Sequence, residues 1–194
     1  MTINLPVKTL LFVTSILIFS TGWLAQQLQM SMVLHLLVQL PILTFLGYLY
    51  GMQLPESLVE WINRYNGHGI AGALLISGTG IFWMLPSALD ASLSQWPYQL
   101  AKILSMSLLI GIAWSLTLKV IHPVLKGVFY IELWAMLARF GYLYKVSPER
   151  LCSNYLMGEQ QMLGSLFLWL AVLIALYLGI SLLTGFNVNK PTKS

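Results

Sequence analysis

Apolar residues run along this chain in long blocks, separated by short polar connections. Blocks of about 17–25 apolar residues are what a helix needs to cross the hydrocarbon layer of a bilayer. They fall at six places, about 8–26, 30–51, 69–89, 99–121, 124–144 and 161–184. Short connections make sequential helices antiparallel neighbours, so the pattern predicts an all-α integral membrane bundle of about six transmembrane helices. It forms a single domain over 1–194, without internal repeat or low-complexity segment. On the third block Gly69, Ala73 and Ser77 form a small-xxx-small row, which predicts close approach of another helix.

The longest polar connection, LPESLVEWINRYNG, has a different period. Leu58, Trp61, Ile62 and Tyr65 fall at i, i+3, i+4 and i+7, while Glu56, Glu60 and Arg64 lie off that stripe. Pro55 suits a first helical turn and Asn66-Gly67 a stop, so 55–66 reads as a short amphipathic helix in the membrane interface. A weaker candidate of the same kind starts at Ser147-Pro148-Glu149.

Composition agrees with a membrane setting. The 194 residues are 58% hydrophobic and only 8% charged, with a mean hydropathy of +0.78, whereas soluble domains carry about a quarter charged residues. The net charge of +4 comes from ten Lys/Arg against six Asp/Glu. They are scattered singly, which excludes a nucleic-acid patch and suits anchoring to lipid headgroups. The one cysteine, Cys152, excludes an internal disulfide and reads as an inert small residue. Near the start, Lys8 precedes an apolar run from Thr9 to Ala25, and Trp23 is too large for a secretory cleavage site, so this is expected to be a retained first helix. With the N-terminus inside, Lys8, Arg64, Lys119, Lys126, Lys190 and Lys193 lie inside, against Lys102, Arg139, Lys145 and Arg150 outside. That balance favours a cytoplasmic N-terminus.

Three polar features then meet at the outer end: MSMVLHLLVQLP opens the second block, FWMLPSALD closes the third and MGEQQMLG opens the sixth. Met32, His35 and Gln39 share one helix face, as do Met157 with Gln161 and Glu159 with Met162. Thioether sulfur favours Cu(I) and imidazole takes copper or haem iron, so a Met/His cluster suits copper or haem better than zinc. Most of the nine methionines serve packing. His35, inside a span, needs a partner, either a ligand or an interhelical hydrogen bond. His68 and His122 fall at the inner side, where they could form a pair, though surface residues are the favoured reading. No histidine faces His35 at its depth, which argues against a bis-His haem. Glu132 is the deepest charge and is expected to face the bundle interior, paired or protonated. Arg139, about 10 Å along the same helix, is too far to pair with it. Trp83, Trp96 and Tyr98 read as an outer aromatic belt, Pro86 and Pro97 as helix ends, and Lys102 as a snorkelling anchor. Asp90 stands at the end of the third block. No phosphate-binding loop, activated nucleophile or close carboxylate pair is present, so the chain is not expected to be an enzyme.

Read in order, these segments resemble the membrane-embedded cytochrome c oxidase assembly factors of the CtaG type. That family has a His-Met-x-x-His-like motif before Leu-rich sequence and Pro. In SMVLHLLVQLP, His35 stands at the second histidine and Ser31 at the first. FWMLPSALDASL resembles a shortened Trp-His-x-Pro and Tyr-Asp-x-Ala-Leu stretch, with Met84 where His is expected. YQLAKIL offers Ala101 and Lys102 for a Glu-His, and Glu159-Gln160 before Gly164 matches an acidic-Gln pair. The resemblance covers roughly 30–175. It implies a bacterial inner-membrane protein helping assembly of, or copper delivery to, a haem-copper oxidase. The metal positions would be His35, Met32 and Met84, with Met157 and Met162, and Glu132, Glu159, Gln160, Gln39 and Lys102 would stand around them. Two other readings are a non-catalytic integral subunit of a respiratory or other membrane complex and, ranked lower, a small transporter.

Overall fold

A computed structural model describes residues 5–183, and side chains over 9–181. Among the described residues the chain forms nine helices and no strand. They are α1 (Leu5–Ser20), α2 (Gly22–Gln29), α3 (Met32–Gly51), α4 (Glu56–Asn63), α5 (Ile70–Met84), α6 (Pro86–Ser94), α7 (Trp96–Val120), α8 (Pro123–Val146) and α9 (Met157–Leu183). Four helices, Met32–Gly51, Gly67–Met84, Trp96–Val120 and Met157–Ser181, are long and apolar enough to cross a membrane. The bent pair α1–α2 makes a fifth if counted as one span. The protein is thus an all-α membrane bundle. The block expected at 124–144 is a helix of 24 residues, long enough at about 1.5 Å per residue. Lys126, Glu132, Arg139 and Lys145 make it less apolar than the other four.

The expected single helix over 8–26 is broken. Thr21 is extended, Gly22 takes φ 75°, and the two halves bend by 50°. A broken helix in a membrane needs its freed carbonyls satisfied by neighbours. Gln39 Nε2 donates to the Phe19 carbonyl at 2.8 Å, and Gln99 Nε2 to the Ser20 carbonyl at 3.3 Å. The block expected over 69–89 also ends early. Pro86 lacks an N–H and forces Leu85 out of the helical region (ψ 130°), so α5 stops at Met84 and α6 begins afresh. Tyr144 Oη donates to the Met84 carbonyl at 2.6 Å and Cys152 Sγ approaches the Pro86 carbonyl at 3.9 Å. The helix expected from Ser147 does not form: 147–156 is an irregular connection. The amphipathic helix is present as α4, with Pro55 as its N-cap residue.

Small residues set the helix approaches, and of the expected row Gly69 lies against the Ile121 backbone and Ala73 is buried. A Cβ on Gly47 would run into the Ser107 carbonyl, and one on Gly111 into the Thr44 carbonyl, so α3 and α7 touch backbone to backbone. On α5 it is Gly72 that faces Thr117, while Gly69 caps the helix at φ 79°. Ser77 instead borders a cavity. Both α3 and α7 widen into π-helical segments, over His35–Gln39 and Ser105–Ile112. Such segments often mark functional sites.

Candidate functional site

The end of the bundle where α3, α7 and α9 begin holds two sets of hydrogen bonds that short stretches of backbone join into one ring. Its centre is His35, fully buried at the first residue of the α3 π segment. Nε2 lies 2.8 Å from Lys102 Nζ and Nδ1 lies 2.7 Å from Tyr155 Oη. Lys102 Nζ also donates to Ser92 Oγ at 3.2 Å. Ser92 belongs to α6, as does Asp90, two residues before it. The Asp90 carboxylate accepts from Ser153 N–H at 2.7 Å and Oγ at 2.9 Å, and from Asn154 N–H at 3.3 Å and Nδ2 at 3.0 Å. The chain then leads through Tyr155 back to His35. Four separate elements, α3, α6, α7 and the 147–156 connection, are tied together by this one circuit.

The chemistry follows from donor and acceptor count. As an ammonium Lys102 has three donors and no acceptor, so it donates to Nε2 and leaves Nδ1–H to donate to Tyr155 Oη. Outside the spans, burial and then the neighbouring Cys152, Glu159 and Asp90 push the Tyr155 phenol up, so it stays an O–H. Burial, then the Asp90 charge, pushes the Cys152 thiol up to about 12, which keeps it an inert thiol. Burial raises Asp90, but the combined hydrogen bonds from Ser153 and Asn154 outweigh it and hold the carboxyl below its ordinary range.

Several expected site residues meet here, with altered roles. Met32, His35 and Gln39 do share one buried face. Gln39, however, staples the α1 break and receives Gln29 Nε2 at 3.4 Å. Lys102 is not a snorkelling anchor: it is 0% exposed, with two of its three donors placed on His35 Nε2 and Ser92 Oγ. Nor is Trp83 part of an aromatic belt; it is buried, with Nε1 donating to Ser105 Oγ at 2.6 Å, while Trp96 and Tyr98 are exposed. Gln160 clamps the 147–156 connection, accepting from Leu151 N–H at 2.8 Å and donating to the Tyr144 carbonyl at 3.2 Å. It also approaches Met157 Sδ at 3.9 Å. Met84 and Glu159 are partly buried. Met162 is 58% exposed and takes no part in the cluster. Glu132 lies away from the ring, on the wall of an apolar cavity. His68 and His122 meet through backbone only, His122 N–H donating to the His68 carbonyl at 3.2 Å.

Tyr155, Ser92 and the Asp90 partners were missed by sequence reasoning. The signal available was the polar Cys-Ser-Asn-Tyr stretch between two apolar helices, at Cys152–Tyr155. As arranged, a copper ion could reach a His35 nitrogen only by displacing a protein partner. Both ring nitrogens of His35 are engaged, and among the described residues no three His, Cys, Asp or Glu gather as a metal-binding group. Comparison with family models, curated proteins and solved structures finds no match.

Proposed function

We propose that this chain is a non-enzymatic, multi-pass protein of the bacterial inner membrane that assists assembly of a haem-copper cytochrome c oxidase. The observation that carries the reading is the 2.8 Å contact between His35 and Lys102, 67 residues apart in sequence. The resemblance puts one at the second histidine of its first motif and the other at the histidine of its Glu-His. Two motif positions from distant parts of the chain converge on one site. Here an ammonium stands beside His35 where the family has imidazole. The assembly role is therefore assigned to a chain whose resident cation is its own lysine. Copper reaching His35 would have to displace Lys102 from Nε2 or Tyr155 from Nδ1. Withdrawing Lys102 from the headgroups also leaves only Arg139, Lys145 and Arg150 on the outer side, which strengthens the preference for a cytoplasmic N-terminus.

A second reading, a non-catalytic integral subunit, draws support from the closure of the ring: a polar network satisfied within the chain suits a static structural part. One experiment separates them. The tagged chain is purified from its native membranes, and oxidase copper is measured with and without the gene. An assembly factor comes down substoichiometrically with immature oxidase, and its loss lowers copper-loaded oxidase. A subunit comes down at fixed stoichiometry with a mature complex. No oxidase in the pull-down together with unchanged oxidase copper contradicts the assembly role.

A further inference from the structure

Away from the ring, α3, α5, α7 and α8 line a half-open cavity of about 670 Å³, within the roughly 300–1,000 Å³ of sites for drug-sized ligands. Its walls are mostly apolar but carry four oxygen groups: the Thr44, Ser77 and Tyr48 hydroxyls and the Glu132 carboxyl. None of the four makes a hydrogen bond or ion pair among the described residues. None is sealed either, since the one buried side-chain polar atom without a partner there is Asn63 Oδ1. They therefore face open space. Ser and Thr hydroxyls in helices commonly bond the carbonyl one turn back, as Ser107 does to Ile103 at 2.7 Å. Ser77 and Thr44 do not.

Depth decides the class of ligand. Glu132 stands nine residues from Pro123 and fourteen from Val146 on α8, about 14 and 21 Å from the two ends at about 1.5 Å per residue. Ser77 is seven residues from either end of α5, and Thr44 lies twelve residues into α3. Along their own helices Glu132, Ser77 and Thr44 thus lie well inside segments long enough to cross a hydrocarbon core about 30 Å thick, while Tyr48 stands nearer the end of α3 at Gly51. The ester carbonyls of a phospholipid stay at the interface and do not reach them. We propose that this cavity binds a membrane-soluble quinone, whose apolar body matches the walls and whose ring oxygens meet the Thr44, Ser77 and Tyr48 hydroxyls and the Glu132 carboxyl. The oxidised ring offers carbonyl acceptors to the hydroxyls, and the reduced ring offers hydroxyl donors to the carboxyl. Trp83 and Trp114 on the same walls report occupancy.

The full chain is placed in quinone-free phosphatidylcholine nanodiscs and titrated with decylubiquinone while tryptophan fluorescence is followed. Wild type is expected to show a saturable component of quenching. Gly80 lines the cavity and a Cβ there meets nothing within 4 Å, so Gly80→Phe starts a bulky side chain from an unobstructed position on the wall and is expected to abolish that component. Glu132→Gln and Ser77→Ala each weaken it about five- to tenfold, the effect of one lost hydrogen bond. These two variants carry the test should Gly80→Phe fail to fold by circular dichroism. Absence of a saturable component in wild type overturns the proposal. So does unchanged binding in all folded variants, or recovery of a stoichiometric phospholipid that decylubiquinone does not displace. Quinone binding is read without any oxidase present, so it stands or falls apart from the assembly role.

Discussion

Lys102 and His35 show how a charge is kept inside a membrane protein. An ammonium taken from water costs several kcal/mol, of which hydrogen bonds to neutral partners offset a part. Lys102 has the His35 imidazole and the Ser92 hydroxyl, with Tyr155 holding the far side of the ring. Asp90 serves the same circuit from outside the span, fixing the turn that presents Tyr155. Its pKa is depressed by that turn, so folding releases a proton that the unfolded carboxyl would keep. The Asp90 contribution is therefore complete above the ordinary carboxylate value near 3.8 and is lost as pH falls through the lower folded value. Detergent-resistance measurements from pH 7 down to pH 3 are expected to show a loss confined to the acid end. Asp90→Asn is expected to lack that component and to be less stable at neutral pH.

At the scale of elements, breaks and close approaches matter more than helix length. The α1–α2 bend exists because Gly22 permits a left-handed residue and because Gln39 and Gln99 satisfy the carbonyls the bend frees. The α3–α7 contact depends on two residues without side chains facing each other's backbone. Gly111→Ala places a methyl against the Thr44 carbonyl and Gly47, neither of which is a flexible side-chain end. The expected cost is about 1–3 kcal/mol or more, measured by unfolding in mixed micelles. Gly80→Ala, which meets open space, is expected to be neutral or slightly stabilising. Hydropathy made the long helices and the amphipathic α4 legible, because each presents its period or its length within one segment. The break at Leu85 is marked in the sequence by Pro86, whereas the one at Thr21, and the partners that stabilise either, are less legible. Apolarity continues across them, and the groups that stabilise them, Gln39, Gln99, Tyr144 and Cys152, come from elsewhere in the chain.

For the whole molecule, the face shared by Met32, His35 and Gln39 was readable, since helical spacing fixes it. The convergence of α3, α6, α7 and the 147–156 connection was not. Tyr155 lies 120 residues from His35 and Lys102 lies 67 from it. A lysine near a helix end also reads as an interfacial anchor unless its partners are known. Sequence alone therefore points Lys102 to the membrane surface, whereas its partners hold it in the interior. The account rests on Lys102 being the resident cation of the His35 site, and a double-mutant cycle with His35→Leu and Lys102→Met tests this most directly. His35→Leu strands a buried ammonium, a loss of about 3–5 kcal/mol. Lys102→Met leaves a neutral imidazole still bonded to Tyr155 and costs less. The double variant, read by unfolding in mixed micelles, is expected to recover at least about 2 kcal/mol of the summed single losses. Single losses that add to within about 0.5 kcal/mol would mean the two residues do not interact, and would contradict the account.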